Sequence, residues 1–171
     1  LPGLLQLAQE RQVAEIYLMD PSLDATPDQE QRLETMARLN TSGIPIHTEI
    51  RLERVSPQLA RAMSQAGIRS VEAGLQSTNA QALSACGRTW NKERFVTGVR
   101  ALQDVGISIK TGLIAGLPHD RQEDILASVS FVRQLGLDDM MELYPLSLLP
   151  GTRFHQNRQS LGLESQSRPP Y

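Results

Sequence analysis

Cysteine is almost absent, since Cys86 is the only one in 171 residues. A disulfide within the chain is therefore impossible, which suits a reducing compartment, and we expect a cytoplasmic protein. One thiol cannot by itself hold an iron–sulfur cluster or a structural zinc ion. The sequence also shows no histidine and carboxylate cluster at metal-ligand spacing, so we assign no metal ligand in this chain.

Long apolar runs and an excess of one charge are missing too. No run approaches the length that spans a bilayer, and no signal peptide is visible, so we expect no membrane contact. The formal net charge is -2, and most of the 17 Lys and Arg residues lie on predicted helices. No basic field therefore attracts nucleic acid. The length indicates one domain that can bury roughly two thirds of its unfolded surface.

A unit of helix, glycine, apolar strand and polar turn recurs along the chain, with its glycines at positions 43, 67, 106 and 136. We predict strands near 13–19, 44–50, 69–73, 107–113 and 140–146. Helix starts are predicted at Thr26-Pro27, Ser56-Pro57, Asn91 and Asp120, with Thr152 capping a short last helix. This alternation predicts an α/β fold of parallel βαβ units, as a barrel or an open sheet. We assign 1–164 to this domain and 165–171 to a loosely held tail.

The chain is organised around residues 68–88, IRSVEAGLQSTNAQALSACGR. An apolar strand leads into a predicted glycine turn at Gly74, and an uncharged polar cluster of Gln76, Ser77, Thr78 and Asn79 follows. Parallel α/β folds bind ligands at the carboxyl ends of their strands, which makes this cluster a candidate site. The alternative is that Ser77 or Thr78 only caps the next helix.

Other polar residues follow the remaining predicted strands, but they do not define a reaction. Glu49 ends the second strand; if buried, it needs a partner such as Arg88 or a cationic ligand, and otherwise it lies exposed at the strand end. Three scattered histidines, His47, His119 and His155, are expected at the surface or in turns rather than as ligands. The residues alone thus predict a polar ligand on a parallel sheet, without a nucleophile paired to a base.

The stretch VEAGLQSTNAQALSACGR resembles the radical S-adenosylmethionine superfamily, in the branch of cobalamin-binding enzymes and oxygen-independent coproporphyrinogen oxidases. That branch has Gly-x-Gln-Ser at a strand end and an arginine about a dozen residues later, here Gly74, Gln76, Ser77 and Arg88. The later TGLIAGLPHD is similar to the family's fifth-strand pattern at Gly112, Ile114 and Gly116. His119 stands where the family usually has glutamate. The ending LYPLSLLPGT resembles the cobalamin-dependent members.

The resemblance implies a partial (β/α)6 barrel containing the family's second to sixth strands. It implies S-adenosylmethionine and a [4Fe–4S] cluster as cofactors, with cobalamin a candidate in the parent protein. We expect the family's cysteine motif upstream of Leu1, because it is absent here. A barrel without its first strand should expose an edge at residues 13–19, so we expect self-association or marginal stability.

The resemblance also assigns cofactor contacts residue by residue. It implies that Glu49 and Gln76 contact the ribose or amino-acid part of S-adenosylmethionine. It implies that Arg88 contacts the methionine carboxylate, an anion that a guanidinium binds well. Ile114 would pack on the adenine, and the strand around Tyr144 would offer backbone bonds to its edge. Two positions depart from the family. Asp20 is the only acid where Gly-Gly-Glu is usual, and Gly112 replaces an aspartate of the oxidase branch.

The implied function is that of a fragment, itself inactive, of an enzyme that binds a small-molecule cofactor, forms a 5′-deoxyadenosyl radical from it and abstracts hydrogen from an unknown substrate. The sequence does not identify that substrate. One alternative is a non-catalytic binding or scaffold domain that has lost the cluster loop. Another is an unrelated (β/α)-barrel enzyme that uses Glu49 or His119 as acid or base.

Overall fold

The computed structural model describes residues 2–19, 23 and 28–164. The α-helices are α1 (Pro2–Glu10), α2 (Gln29–Leu39), α3 (Pro57–Gln65), α4 (Ala80–Ala85), α5 (Lys92–Gln103), α6 (Gln122–Gln134) and α7 (Arg153–Gln156). The strands are β1 (Ile16–Leu18), β2 (Ile46–Glu49), β3 (Ile68–Gln76), β4 (Ser108–Ala115) and β5 (Met141–Pro145). Two 3-10 helices cover Leu52–Arg54 and Asp138–Met140.

The strands form one parallel sheet in the order β1-β2-β3-β4-β5. In its register Tyr17 faces His47, His47 faces Ser70, and Glu49 faces Glu72, with an irregularity between Ile46 and His47. The prediction of a parallel α/β sheet is confirmed. β1 lies at one edge of the sheet, as expected for residues 13–19, and self-association through that edge stays a prediction.

The strand bounds differ from the prediction mainly at β3. Gly74 does not turn the chain there, because β3 continues through it to Gln76. The turn comes at Gln76, whose φ of 71° places it in the left-handed region. β1 is shorter than predicted, with three residues, and β4 extends two residues further, to Ala115. The polar cluster after β3 therefore begins at the true end of the strand.

Several helix starts follow local hydrogen-bonding chemistry. The side chains of Ser56, Asn91 and Thr152 each accept a bond from a backbone N–H of the first turn, as predicted. The predicted start at Thr26-Pro27 lies outside the described residues, and α2 begins at Gln29. The prediction for Asp120 is wrong: Arg121 is the N-cap residue of α6, and Asp124 accepts from its N–H at 2.9 Å. Asp120 is engaged elsewhere.

The chain divides into two compact units. The first comprises Leu1–Gly74 and Trp90–Thr111. Its core includes Phe95, Val99 and Leu102 on α5, all fully buried as the helical period predicted. Helix α5 lies so close to the first 3-10 helix that a Cβ added at Gly98 would overlap the carbonyl oxygen of Leu52.

The second unit comprises Leu75–Thr89 and Gly112–Tyr171. It holds the last residues of β3 and β4, together with β5, α4, α6 and α7. Its buried residues include Leu75, Leu83, Leu113 and Val132. On α6 only Ser128 and Val132 are buried, while the other predicted core positions, Ile125, Val129 and Leu135, are half-buried.

Candidate functional site

The turn after β3 is held by the hydroxyl of Ser77. This side chain is 1% exposed. Its oxygen accepts from the N–H of Asn79 at 3.0 Å and donates to Oδ1 of Asp120 at 3.1 Å. The Ser77 N–H donates to the Leu75 carbonyl at 3.0 Å, which tightens the turn around Gln76. Gln76 stays half-exposed, so Ser77 fixes the backbone beside a side chain that a ligand can reach.

Asn79, rather than Ser77 or Thr78, caps the helix that follows. Its Oδ1 accepts from the N–H groups of Gln81 and Ala82 at 2.9 and 3.4 Å. Its Nδ2 donates to the carbonyl of His119 at 3.0 Å. The helix-cap alternative for Ser77 and Thr78 is thus wrong, because the turn carries the chain two residues further before α4 begins.

Thr78 anchors the same turn to α6. Its N–H donates to Oγ of the buried Ser128 at 2.9 Å, and the two hydroxyl oxygens are also 2.9 Å apart. Ser128 in turn donates to the carbonyl of Asp124 at 2.8 Å. The turn after β3 is therefore fastened both to the loop after β4 and to the helix that follows it.

Asp120 links these turns and is itself perturbed. Burial raises the pKa of its carboxyl above the ordinary range, the hydrogen bond from Ser77 opposes this, and the charge of Asp124 adds to it. Its Oδ2 is buried and has no hydrogen-bond partner among the described residues. Such an oxygen favours the protonated form, because a bare buried charge is costly. Asp120 therefore positions the turn after β3 through Ser77, and the pKa of its carboxyl is raised.

Two glycines leave room beside β4. A Cβ at Gly112 would lie 3.5 Å from the ring of Tyr144, and one at Gly116 would lie 3.7 Å from Cβ of Leu146. Gly116 also has a φ of 91°, which a residue with a side chain adopts only with strain. The Leu146 N–H donates to the carbonyl of Ala115 at 2.8 Å. Ile114, between the two glycines, is half-buried.

Arg88 follows the end of α4 at a fixed position. Gly87 adopts a φ of 69°, and its N–H donates to the carbonyl of Ser84 at 2.9 Å. The Arg88 N–H donates to the carbonyl of Leu83 at 2.9 Å, which completes a Schellman cap. The adjacent Cys86 is half-buried. Burial and then the charge of Asp120 raise the pKa of its thiol, while Arg88 lowers it.

The second unit contains seven of the nine predicted cofactor contacts: Gln76, Ser77, Arg88, Gly112, Ile114, Gly116 and Tyr144. Glu49 lies in the first unit, half-buried at the end of β2 beside Glu72 in the register. Asp20 lies outside the described residues. The direct ligand contacts assigned to these residues stay predictions.

Sequence reasoning missed Asp120 and Ser128 as residues that hold the turn. No local pattern could reveal them, because their partners are 43 and 50 residues away. It also missed polar residues on one face of β1 to β4, which the alternation of Ser70, Val71, Glu72 and Ala73 in β3 could have indicated. Among residues 2–19, 23 and 28–164 there is no group of three metal-ligating side chains. Within the same residues, no helix has the length and apolar character to cross a membrane.

Comparison with known proteins identifies a family. The model of the radical SAM superfamily matches residues 3–132. An uncharacterized methyltransferase of Pyrococcus horikoshii is 22% identical over 149 residues, covering 86% of this chain and 32% of that protein.

Two solved structures have the same fold. The radical S-adenosylmethionine methyltransferase TsrM from Kitasatospora setae, with cobalamin and a [4Fe–4S] cluster bound, matches with a TM-score of 0.79 and 16% identity. That match covers 95% of this chain and 34% of TsrM. Coproporphyrinogen III oxidase from Escherichia coli matches with a TM-score of 0.69 and 19% identity, over 81% of this chain and 33% of the oxidase. The chain thus spans about a third of the length of these relatives.

Proposed function

The chain belongs to the radical SAM superfamily, and from that premise we propose that it is the S-adenosylmethionine-binding part of a radical enzyme. The observation that carries the proposal is that one unit contains seven predicted contact residues, six of them on or directly after β3, β4 and β5 and the seventh, Arg88, just after α4. Carboxyl ends of parallel strands are the usual ligand-binding edge of such folds.

The chemistry of these side chains fits S-adenosylmethionine. Gln76 offers an amide to a ribose or amino-acid group, and the Arg88 guanidinium suits a carboxylate through charge-assisted hydrogen bonds. Ile114 offers an apolar surface to the adenine. Gly112 and Gly116 have no side chains of their own, so a ligand can approach the backbone there closely. Ser77 and Asp120 hold the Gln76 turn, so that little ordering remains for the moment of binding.

The residues do not fit the cluster. Cys86 is the only cysteine, and a [4Fe–4S] cluster is held by several thiolates. We propose that residues outside this chain hold the cluster. In the whole protein the cluster would supply the electron, and S-adenosylmethionine would supply the deoxyadenosyl group that abstracts hydrogen. Cobalamin and the substrate remain predictions for the whole protein, and so does the inactivity of this chain alone.

The test uses the full-length protein, purified without oxygen and reconstituted with iron and sulfide. S-adenosylmethionine affinity is measured by calorimetry, and 5′-deoxyadenosine is measured by mass spectrometry after a reductant is added. Arg88→Ala should raise the dissociation constant roughly 10- to 100-fold, because a hydrogen bond to a charged group contributes about 1.5–3 kcal/mol. Gln76→Ala should raise it by a smaller factor.

Matched controls are Arg133→Ala and Gln134→Ala, which alter exposed side chains near the end of α6. Both should leave the affinity unchanged. If Arg88→Ala binds S-adenosylmethionine as tightly as Arg133→Ala while the cluster is intact, the proposed site is wrong. If the parent forms no 5′-deoxyadenosine with an intact cluster, the non-catalytic binding domain replaces the radical enzyme.

A further inference from the structure

One face of the strands in the first unit carries a connected set of polar side chains, here termed the strand-face cluster. Its members are Tyr17, His47, Ser70, Glu72 and Lys110. The register places Tyr17 beside His47 and His47 beside Ser70, on three neighbouring strands. Glu72 shares the face of Ser70, because strand residues two apart point the same way. Val71 and Ala73, between and after them, are buried on the opposite face.

The members of the cluster contact one another in sequence across the sheet. Nδ1 of His47 lies 2.7 Å from Oγ of Ser70. The rings of His47 and Tyr17 lie 4.3 Å apart between centroids, tilted by 35°. Besides burial, the charge of Glu72 helps to raise the pKa of Tyr17, and Oε2 of Glu72 lies 3.8 Å from Nζ of Lys110. The cluster is therefore preorganised by its own contacts.

His47 brings an unused hydrogen-bonding atom to this cluster. The residue is 8% exposed, and its Nε2 is buried with no hydrogen-bond partner among the described residues. Buried polar atoms are nearly always paired, so an unpaired one indicates a missing partner such as a ligand. If Nδ1 donates to Oγ of Ser70, Nε2 of the neutral ring is an acceptor, and the proposal below uses this tautomer.

The charges around the cluster favour a cation. Glu72 and the neighbouring Glu49 carry two negative charges against the single positive charge of Lys110. Desolvation and then these two carboxylates raise the pKa of Tyr17, and Lys110 only partly offsets them. Tyr17 is 48% exposed, and an aromatic face attracts ammonium and guanidinium groups. An anionic ligand would meet two carboxylates.

We propose that the strand-face cluster binds a cationic nitrogen group of the substrate, an ammonium or a guanidinium, with Nε2 of His47 accepting one of its N–H bonds. Glu72 supplies the opposing charge, and the ring of Tyr17 supplies an aromatic wall. That the ligand is the substrate rests on the proposed function, whereas the cation preference rests on the cluster alone.

The test follows the imidazole nitrogens of the full chain by NMR at pH 8, with ethylguanidinium chloride as the probe. The His47 signals are assigned by their loss in His47→Gln. We expect a saturable shift of Nε2 of His47, while the signals of His155 stay in place. Potassium chloride at equal ionic strength should cause no such shift, and neither should potassium butyrate.

Variants identify the contacts. Glu72→Gln should weaken the binding of ethylguanidinium at least about fivefold, because it removes the opposing charge at nearly constant shape. Tyr17→Leu, at an exposed position, should weaken it about threefold by removing the aromatic face. Glu123→Gln, an exposed carboxylate in the other unit, is the matched control and should have no effect.

Three results would overturn the proposal: no shift with ethylguanidinium, an equal or stronger response to butyrate, or equal affinities for Glu72→Gln and Glu123→Gln. These outcomes are separate from the radical chemistry. If 5′-deoxyadenosine forms but His47 does not respond, the cation site alone is refuted. If His47 responds but no 5′-deoxyadenosine forms, the cation site stands and the radical function is refuted.

Discussion

A methyl group added at position 98 tests how closely α5 packs on the first 3-10 helix. In Gly98→Ala the new Cβ would overlap the carbonyl oxygen of Leu52 and lie 2.9 Å from its carbonyl carbon. Ordinary contact begins near 3.4 Å, and the opposing atoms belong to the backbone, so no side chain can rotate away. Either α5 or the 3-10 helix must therefore shift before the new methyl group fits.

The expected cost follows from two opposing effects. Alanine favours a helix over glycine by about 1 kcal/mol. Overpacking in a well-packed region costs about 1–3 kcal/mol, and we take the upper end because α5 also carries the fully buried Phe95 and Leu102. The free energy of unfolding should fall by about 2 kcal/mol. For a chain of this length that corresponds to a drop of about 4–8 °C in Tm.

Urea denaturation followed by circular dichroism measures this change. The matched control is Gly3→Ala in α1, where an added Cβ would have no neighbour within 4 Å. The same substitution there should leave stability unchanged or raise it by up to about 1 kcal/mol. If Gly98→Ala proves as stable as Gly3→Ala, the close approach of α5 to Leu52 is wrong.

Two further predictions concern the second unit. The raised pKa of Asp120 means that the folded state holds this proton more tightly than the unfolded state, so the ionised carboxyl lowers stability above its folded-state pKa. Asp120→Asn should therefore raise the free energy of unfolding at pH 7, and this gain in stability should shrink as the pH falls towards 3.5. Urea denaturation of both proteins at pH 7 and pH 3.5 measures the gain. The same gain at the two pH values would contradict the reasoning. Burial and the charge of Asp120 raise the pKa of Cys86. Iodoacetamide should therefore alkylate Cys86 in the folded chain more slowly than a free thiol at pH 7.5. It should alkylate Cys86 faster in Asp120→Asn than in the unsubstituted chain. An unchanged rate in the variant would remove Asp120 as a cause.

Much of the fold could be predicted because its determinants are local. The caps at Ser56, Asn91 and Thr152 each need only the next three residues. The buried face of α5 follows from the spacing of Phe95, Val99 and Leu102. The resemblance in GLQS and in GLIAGLP pointed to the family that the comparison found.

Two local predictions failed because a distant partner prevailed. Asp120 is a residue type that often caps helices, yet its carboxylate accepts a hydrogen bond from Ser77. Asp124 accepts from the N–H of Arg121 at the start of α6 instead. Gly74 looked like a turn, but β3 continues to Gln76 because pairing within the sheet extends the strand. In both cases a tertiary contact outweighed the preference of a short segment.

The sequence by itself determined the alternation of strands and helices, most helix starts and the membership of the superfamily. Periodicity, capping and family motifs depend on a few neighbouring residues, so they can be recognised without knowledge of the fold. Only the tertiary structure decided which polar atoms meet: Ser77 with Asp120, Thr78 with Ser128, and His47 between Tyr17 and Ser70. These partners are separated by 23 to 50 residues along the chain. Strand order and register bring them together, and no short stretch of sequence specifies either.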